Sequence, residues 1–210
     1  MLVHARHWFA IAALAMTGTV APAAVVFDES VDGPLSRDND KPTALTFAVG
    51  ENTVAGTISR ARTDGDVDVY TFNVPIGAVL DSIALDTFES LDNLAFFAID
   101  SGTMFPYDVF DFDDVANGFL PESAYLGGTV FGPSDITNDV NLLTRAGNIG
   151  GARFTGPLPA DDYSIYVQQT GASTDYSLTF NVTSVTAVPE PGSMLALATV
   201  GAVLWRRRRS

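Results

Sequence analysis

Alternation with a period of two runs through most of the chain. In TALTFAV, Leu45, Phe47 and Val49 fall on one face. In DVDVYTFNV, Tyr70, Phe72 and Val74 share a face while Thr71 and Asn73 point away. In DYSIYVQQ, Tyr163, Ile165 and Val167 alternate with Ser164, Tyr166 and Gln168; in DYSLTFNV, Tyr176, Leu178, Phe180 and Val182 alternate with Ser177, Thr179 and Asn181. This is the period of strands with one face in a core. Gly50-Glu51-Asn52, Asp64-Gly65, Pro75-Ile76-Gly77 and Gly171-Ala172-Ser173 punctuate the runs as turns. Between the two ends no helical period stands out. The pattern therefore predicts an all-β body of short strands, an antiparallel sandwich or barrel, with a jelly-roll-like β-sandwich the expected form. Residues 100–151, with FPYDVFDFDD and NDVNLL, are less regular and read as strands with long loops.

The ends break the alternation. Arg6, with His4 and His7, precedes an apolar run over 8–20, and Ala21-Pro22-Ala23 is a small-residue A-x-A site. That order is a secretory signal helix, removed by signal peptidase after Sec export, with Ala21 and Ala23 at the cleavage site. At the other end lies an apolar run over 194–205, then Arg206, Arg207, Arg208 and Arg209. Twelve helical residues span only about 18 Å, against roughly 30 Å of bilayer hydrocarbon. Such a short transmembrane helix crosses only if the arginines snorkel and the bilayer thins. The arginines resist translocation, so they orient the tail with its C-terminus cytoplasmic and the body outside. Before the run, Pro189-Glu190-Pro191 makes an extended, non-helical segment that a peptidase can hold.

Pro189, Glu190 and Pro191, the short apolar helix and the terminal arginines together resemble the PEP-CTERM sorting signal of Gram-negative bacteria. The resemblance implies cleavage near the motif by an exosortase, a transient stay in the inner membrane, and delivery to the cell surface or an exopolysaccharide-containing matrix. The expected domains are a signal peptide (1–23), a β-sandwich (24–186) and a sorting signal (187–210). A second resemblance lies in the body. DGDVDVYTFNVPIGAVLDSIAL and PLPADDYSIYVQQTGASTDYSLTFNV are similar to the D-x-D-x-Y-x-F and closing-strand motifs of bacterial pre-peptidase C-terminal (PPC) domains, which are β-sandwiches. Asp161 stands where that family usually has glycine, a substitution that an αL turn tolerates.

Charge and composition narrow the function. Between residues 24 and 189 there are six basic residues against 24 acidic ones, a formal charge of −18. Such a surface repels phosphate backbones and excludes nucleic acid as a partner. The chain has no cysteine, and its two histidines both lie in the signal segment. The mature body is left without disulfides, thiolate chemistry, a Ser-His-Asp triad or His/Cys zinc ligands.

Carboxylates are the remaining candidates. Asp66 and Asp68 share the phase of Tyr70 and Phe72, so with Asp64 they lean toward the core at a strand entrance. Clustered acids there need a cation or hydrogen-bond donors. Calcium, with Asp38 and Asp40 of the SRDND loop completing the site, is one reading, and some PPC-like domains are similar in binding it; turn capping is the other. Asp111, Asp113 and Asp114, beside Tyr107, read as a solvated loop, a second cation site or a carbohydrate platform. Asp161-Asp162 reads as a turn. The expected function is a noncatalytic envelope or matrix protein associated with exopolysaccharide. A calcium-assisted polysaccharide- or protein-binding module is the alternative, and a carboxylate-pair glycoside hydrolase a remote one.

Overall fold

The computed structural model describes residues 23–59, 65–106, 125–149, 151–169 and 171–185. The signal segment through Pro22, with Ala21, and the sorting segment, with Pro189–Pro191 and the four arginines, lie outside these residues. So do Asp64, Tyr107, Asp111, Asp113 and Asp114.

Among the described residues nine strands form two sheets. They are β1 (Ala24–Asp28), β2 (Thr43–Thr46), β3 (Gly50–Ile58), β4 (Asp68–Asn73), β5 (Ala78–Ser90), β6 (Ala95–Ser101), β7 (Gly127–Phe131), β8 (Asp162–Gln168) and β9 (Thr174–Ser184). One sheet has the order β1-β3-β9-β5 and the other β2-β4-β8-β6-β7. Short helices α1 (Glu29–Asp32), α2 (Pro133–Thr137) and α3 (Leu142–Ile149) fill the connections.

The all-antiparallel expectation is corrected at both margins. β1 pairs with β3 in parallel, and β2 pairs with β4 in parallel. The cause is the path of the chain. Strands β1 to β4 alternate between the sheets, each reversing direction, so every second strand lands beside its predecessor pointing the same way. Period-two patterning reports which face is buried, not strand direction. The other pairs, β3·β9, β5·β9, β4·β8, β6·β8 and β6·β7, are antiparallel as expected.

The predicted inward faces meet between the sheets. Phe180 of β9 lies 5.3 Å from Phe72, 5.0 Å from Phe47 and 6.3 Å from Tyr70, ring centre to ring centre. Phe47 stacks on Phe72 at 4.3 Å. The predicted strand through TALTFAV stops at Thr46, however. Phe47 still enters the core, but Val49 is exposed.

Two further expectations are corrected. Tyr166, placed with the outward set, is fully buried. Phe105 stacks on it at 5.3 Å, and Val67, Val69 and Ala98 join them in a second apolar cluster on the outer face of the five-stranded sheet. The SRDND loop holds this cover. Asn39 exchanges two bonds with Phe105, side-chain amide to carbonyl (3.1 Å) and backbone N–H to carbonyl (3.2 Å). The other correction is NDVNLL, read as strand and loop. It instead opens α3, where Asn141 Oδ1 accepts from the N–H groups of Leu143 and Thr144 at 3.0 and 3.3 Å as a helix cap does. Leu142, Leu143 and Ala146 face the core. Arg145 points the other way and forks onto Asp135 at 2.7 and 2.8 Å, which ties α3 to α2.

Both cores are expected to contribute to stability. Phe180→Ala should lower the unfolding free energy by about 3–5 kcal/mol. Tyr166→Ala should cost more than about 2 kcal/mol, because its ring is covered rather than solvated. Denaturant unfolding checks both. A near-neutral Tyr166→Ala would show that the outer cluster is not a core.

Candidate functional site

The strongest electrostatic anomaly in the described residues is Asp68. The alternation of β4 that sends Tyr70 and Phe72 inward sends Asp68 inward too, and it is completely buried. The opposing sheet makes room for it. A Cβ on Gly56 would stand 2.4 Å from Asp68 Oδ2 and 2.9 Å from the Tyr176 hydroxyl, so only glycine leaves space for this pair. Tyr176, opposite Gly56 across the β3·β9 ladder, donates its hydroxyl to Asp68 Oδ2 at 2.6 Å. Among the described residues, neither Asp68 Oδ1 nor the buried Tyr70 hydroxyl finds a hydrogen-bond partner.

Burial raises the pKa of Asp68 well above the carboxylate range, and the negative charge of Glu29 and Asp66 adds to the rise; the Tyr176 hydrogen bond opposes it. Burial, with Asp68 beside them, also drives the Tyr70 and Tyr176 hydroxyls upward. The environment therefore favours a neutral carboxyl, which needs no counter-ion.

Around Asp68 the acids act as braces. Glu29 leaves α1 and accepts from the backbone N–H groups of Leu35 and Thr57, the latter at 2.6 Å. It thereby satisfies the β3 edge just beyond the end of β1. Burial raises its pKa despite these bonds. Asp66 closes the 59–66 connection through its backbone, donating to Ser59 Oγ (3.1 Å) and accepting from Ser59 N–H (2.9 Å). Its carboxylate faces Arg37 at 3.9 Å, yet burial still raises its pKa.

The SRDND loop does reach the strand entrance: Ser36 accepts from the N–H of Val69 at 2.7 Å. The loop brings Arg37 to Asp66, whereas Asp38 and Asp40 stay on the loop itself. Asp38 accepts from Asp40 N–H at 3.0 Å and faces Lys41 at 3.8 Å. Among the described residues no three acidic side chains gather closely enough to hold a metal ion. A shallow depression of about 310 Å³ opens beside Gly56 and Tyr176, with Asp28, Glu29, Glu89 and Asp175 among its lining. Three of these carboxylates already accept bonds: Asp28 from Ser30, Glu29 as above, and Asp175 from Thr57.

Asp161 does not adopt the left-handed conformation that a glycine substitute would occupy; among the described non-glycine residues only Asp139 and Arg153 have positive φ. Asp161 instead accepts from the N–H of Asp162, and Asp162 opens β8 rather than extending a turn.

Sequence phase located Asp68 and the SRDND loop but missed their partners. Gly56, Tyr176 and Glu29 come from β3, β9 and α1. The one local sign was a glycine in the middle of an alternating strand, which marks a close approach. Arg145 and Asp135 were missed as a pair. Burial alone would raise the Asp135 carboxyl, but the Arg145 fork and the Gly132 N–H outweigh it and hold the pKa low.

The chain matches the PEP-CTERM protein-sorting motif over residues 187–209. No curated protein matches the chain. The motif indicates an exported protein that transits the membrane and meets an exosortase as its processing partner. Among the described residues no helix is long and apolar enough to cross a membrane.

The buried acid sets a pH test. The folded pKa of Asp68 lies above its unfolded value of 3.8. The folded state thus binds the extra proton, so the contribution of Asp68 to stability is fullest below about pH 4 and falls as pH rises toward the raised pKa. The slope from this group approaches about 1.4 kcal/mol per pH unit. Asp68→Asn keeps the shape and cannot ionise. Its stability relative to the native chain should rise as the pH is raised above about 4 in parallel denaturant titrations. A constant difference would mean that the folded Asp68 carboxyl titrates as it does in the unfolded chain.

Proposed function

We propose that this chain is an exported, noncatalytic protein of a Gram-negative envelope or extracellular matrix. It is drawn through the inner membrane, cut near Pro189–Pro191 by an exosortase, and works alongside exopolysaccharide. The observation that carries this reading is the sorting-motif match at 187–209, placed directly after a body whose last strand ends at Ser184. A body without histidine or cysteine supports a noncatalytic role. So does Asp68, whose carboxyl is enclosed between the sheets rather than offered to a substrate. The PPC-like assignment belongs to the same reading. It is supported by the D-x-D-x-Y-x-F strand, in which Asp68, Tyr70 and Phe72 all turn inward.

In a host that carries an exosortase, intact-mass analysis should find a mature chain lacking Arg206–Arg209. A Pro189→Ala, Glu190→Ala, Pro191→Ala variant should accumulate uncut in the membrane fraction. An intact arginine end on the native, exported protein would defeat the processing reading.

Calcium binding is the second reading. The SRDND loop converges on the strand entrance at Asp66, and Arg37 sits where a cation would neutralise that carboxylate. Calcium would have to displace Arg37. The expected result is heat on calcium titration of the exported body and a higher melting temperature, both reduced in Asp66→Asn. A silent titration with an unmoved melting temperature would remove calcium from the account.

A further inference from the structure

Both membrane-directed segments leave from one end of the sandwich. β9 runs down to Ser184, where it pairs with Ala78 at the start of β5. β3 starts at the same end, with Gly50 opposite Val182. The parallel pairing of β1 with β3 sets Ala24 opposite Asn52, so the first strand begins at that end too. Ala24 and Ser184 are two strands apart and offset by four residues, or roughly 16 Å. Had β1 been antiparallel to β3, the two termini would stand at opposite ends.

The same end carries exposed apolar side chains. Pro75-Ile76-Gly77 turns from β4 into β5, closed by a 3.0 Å bond from Ala78 N–H to the Pro75 carbonyl, with Gly77 at φ 81°. Ile76 at its tip is 100% exposed. Val185 donates its N–H to the Gly77 carbonyl at 2.8 Å, which fastens the departing chain to this turn. Val185 and Val49 are also exposed. From Val185 to Met194, where the apolar run starts, the chain reaches at most about 32 Å. While the tail is embedded, this end stays within that reach of the bilayer. Acidic residues lie at both ends: Asp32, Asp38, Asp40, Asp66 and Asp92 at the opposite one, and Glu51, Asp161 and Asp162 at the end bearing Ile76, so the exposed apolar side chains and the departing chain set the two apart.

We propose that the end of the sandwich bearing Ile76, Val49 and Val185 rests on the bilayer surface while the tail holds the chain in the membrane. This rests on the tail reading given above. The arrangement presents the Pro189–Pro191 segment at the membrane face, where an integral membrane peptidase works. Leu91 is a fair rival. It is 96% exposed, but it follows β5 at the opposite end, next to Asp92.

The chain has no cysteine, so single-cysteine variants report one place each. Full-length Ile76→Cys and Leu91→Cys, labelled with an environment-sensitive dye, are reconstituted into vesicles of phosphatidylethanolamine with a minority of phosphatidylglycerol. Lipids with nitroxide headgroups serve as quenchers. Quenching should be several-fold stronger at position 76 than at position 91, and Val185→Cys should follow position 76. Equal quenching at the two ends, or stronger quenching at 91, overturns the proposal. Flotation of the same samples separates the causes. Protein that floats with the vesicles but is unquenched at 76 refutes the surface contact alone. Protein that fails to float refutes the tail reading and the contact with it.

Discussion

Phe180 is the contact on which the sandwich depends. It reaches across from the four-stranded sheet and touches Phe47, Tyr70 and Phe72 of the opposite layer. No disulfide is available to a chain without cysteine, so the two layers stay together by packing alone. Phe131 extends the same contact sideways, edge-on to Tyr176 at 6.0 Å and to Phe88 at 5.9 Å. Aromatic side chains suit this task because each buries a large area and pairs edge to face.

The aromatic layer also explains the buried acid. Tyr176 belongs to that layer through Phe131, yet its hydroxyl has to end somewhere. Asp68 takes it, in the space that Gly56 leaves open. A polar pair inside an apolar layer is stable only when it is neutral or fully bonded. Burial favours the protonated, neutral form of Asp68, which meets that condition. The acids outside it serve the fold in ordinary ways: Glu29 satisfies an open strand edge, Asp66 closes a connection, and Asp38 shapes the loop whose Asn39 holds Phe105 over Tyr166. An acidic surface on this body is thus partly architecture and partly solubility.

What the chain does follows from where it is sent. The sorting match covers residues 187–209, and the described body has the start of its first strand and the end of its last strand on one side. That side follows from the zigzag of β1 to β4 between the sheets. It is a property of topology, carried by no single residue.

The sequence by itself determined the C-terminal sorting address, the predominance of strands and the inward faces of β4, β8 and β9. Those features are local: a proline motif with an apolar run and arginines, and a side chain's phase along its own strand. It did not show α3, because two turns with Thr144 and Gly147 have little intrinsic helical preference and hold only through Leu142, Leu143 and Ala146 in the core. It placed Tyr166 outward, because alternation cannot tell a solvated face from one that a distant loop covers. It set Asp68 toward the core but left its partner open, because Gly56 and Tyr176 lie on other strands. Strand direction, the second core and the fate of the buried acid were decided only by tertiary structure. Each depends on which segments meet across the fold, and residues far apart in the chain supply that contact.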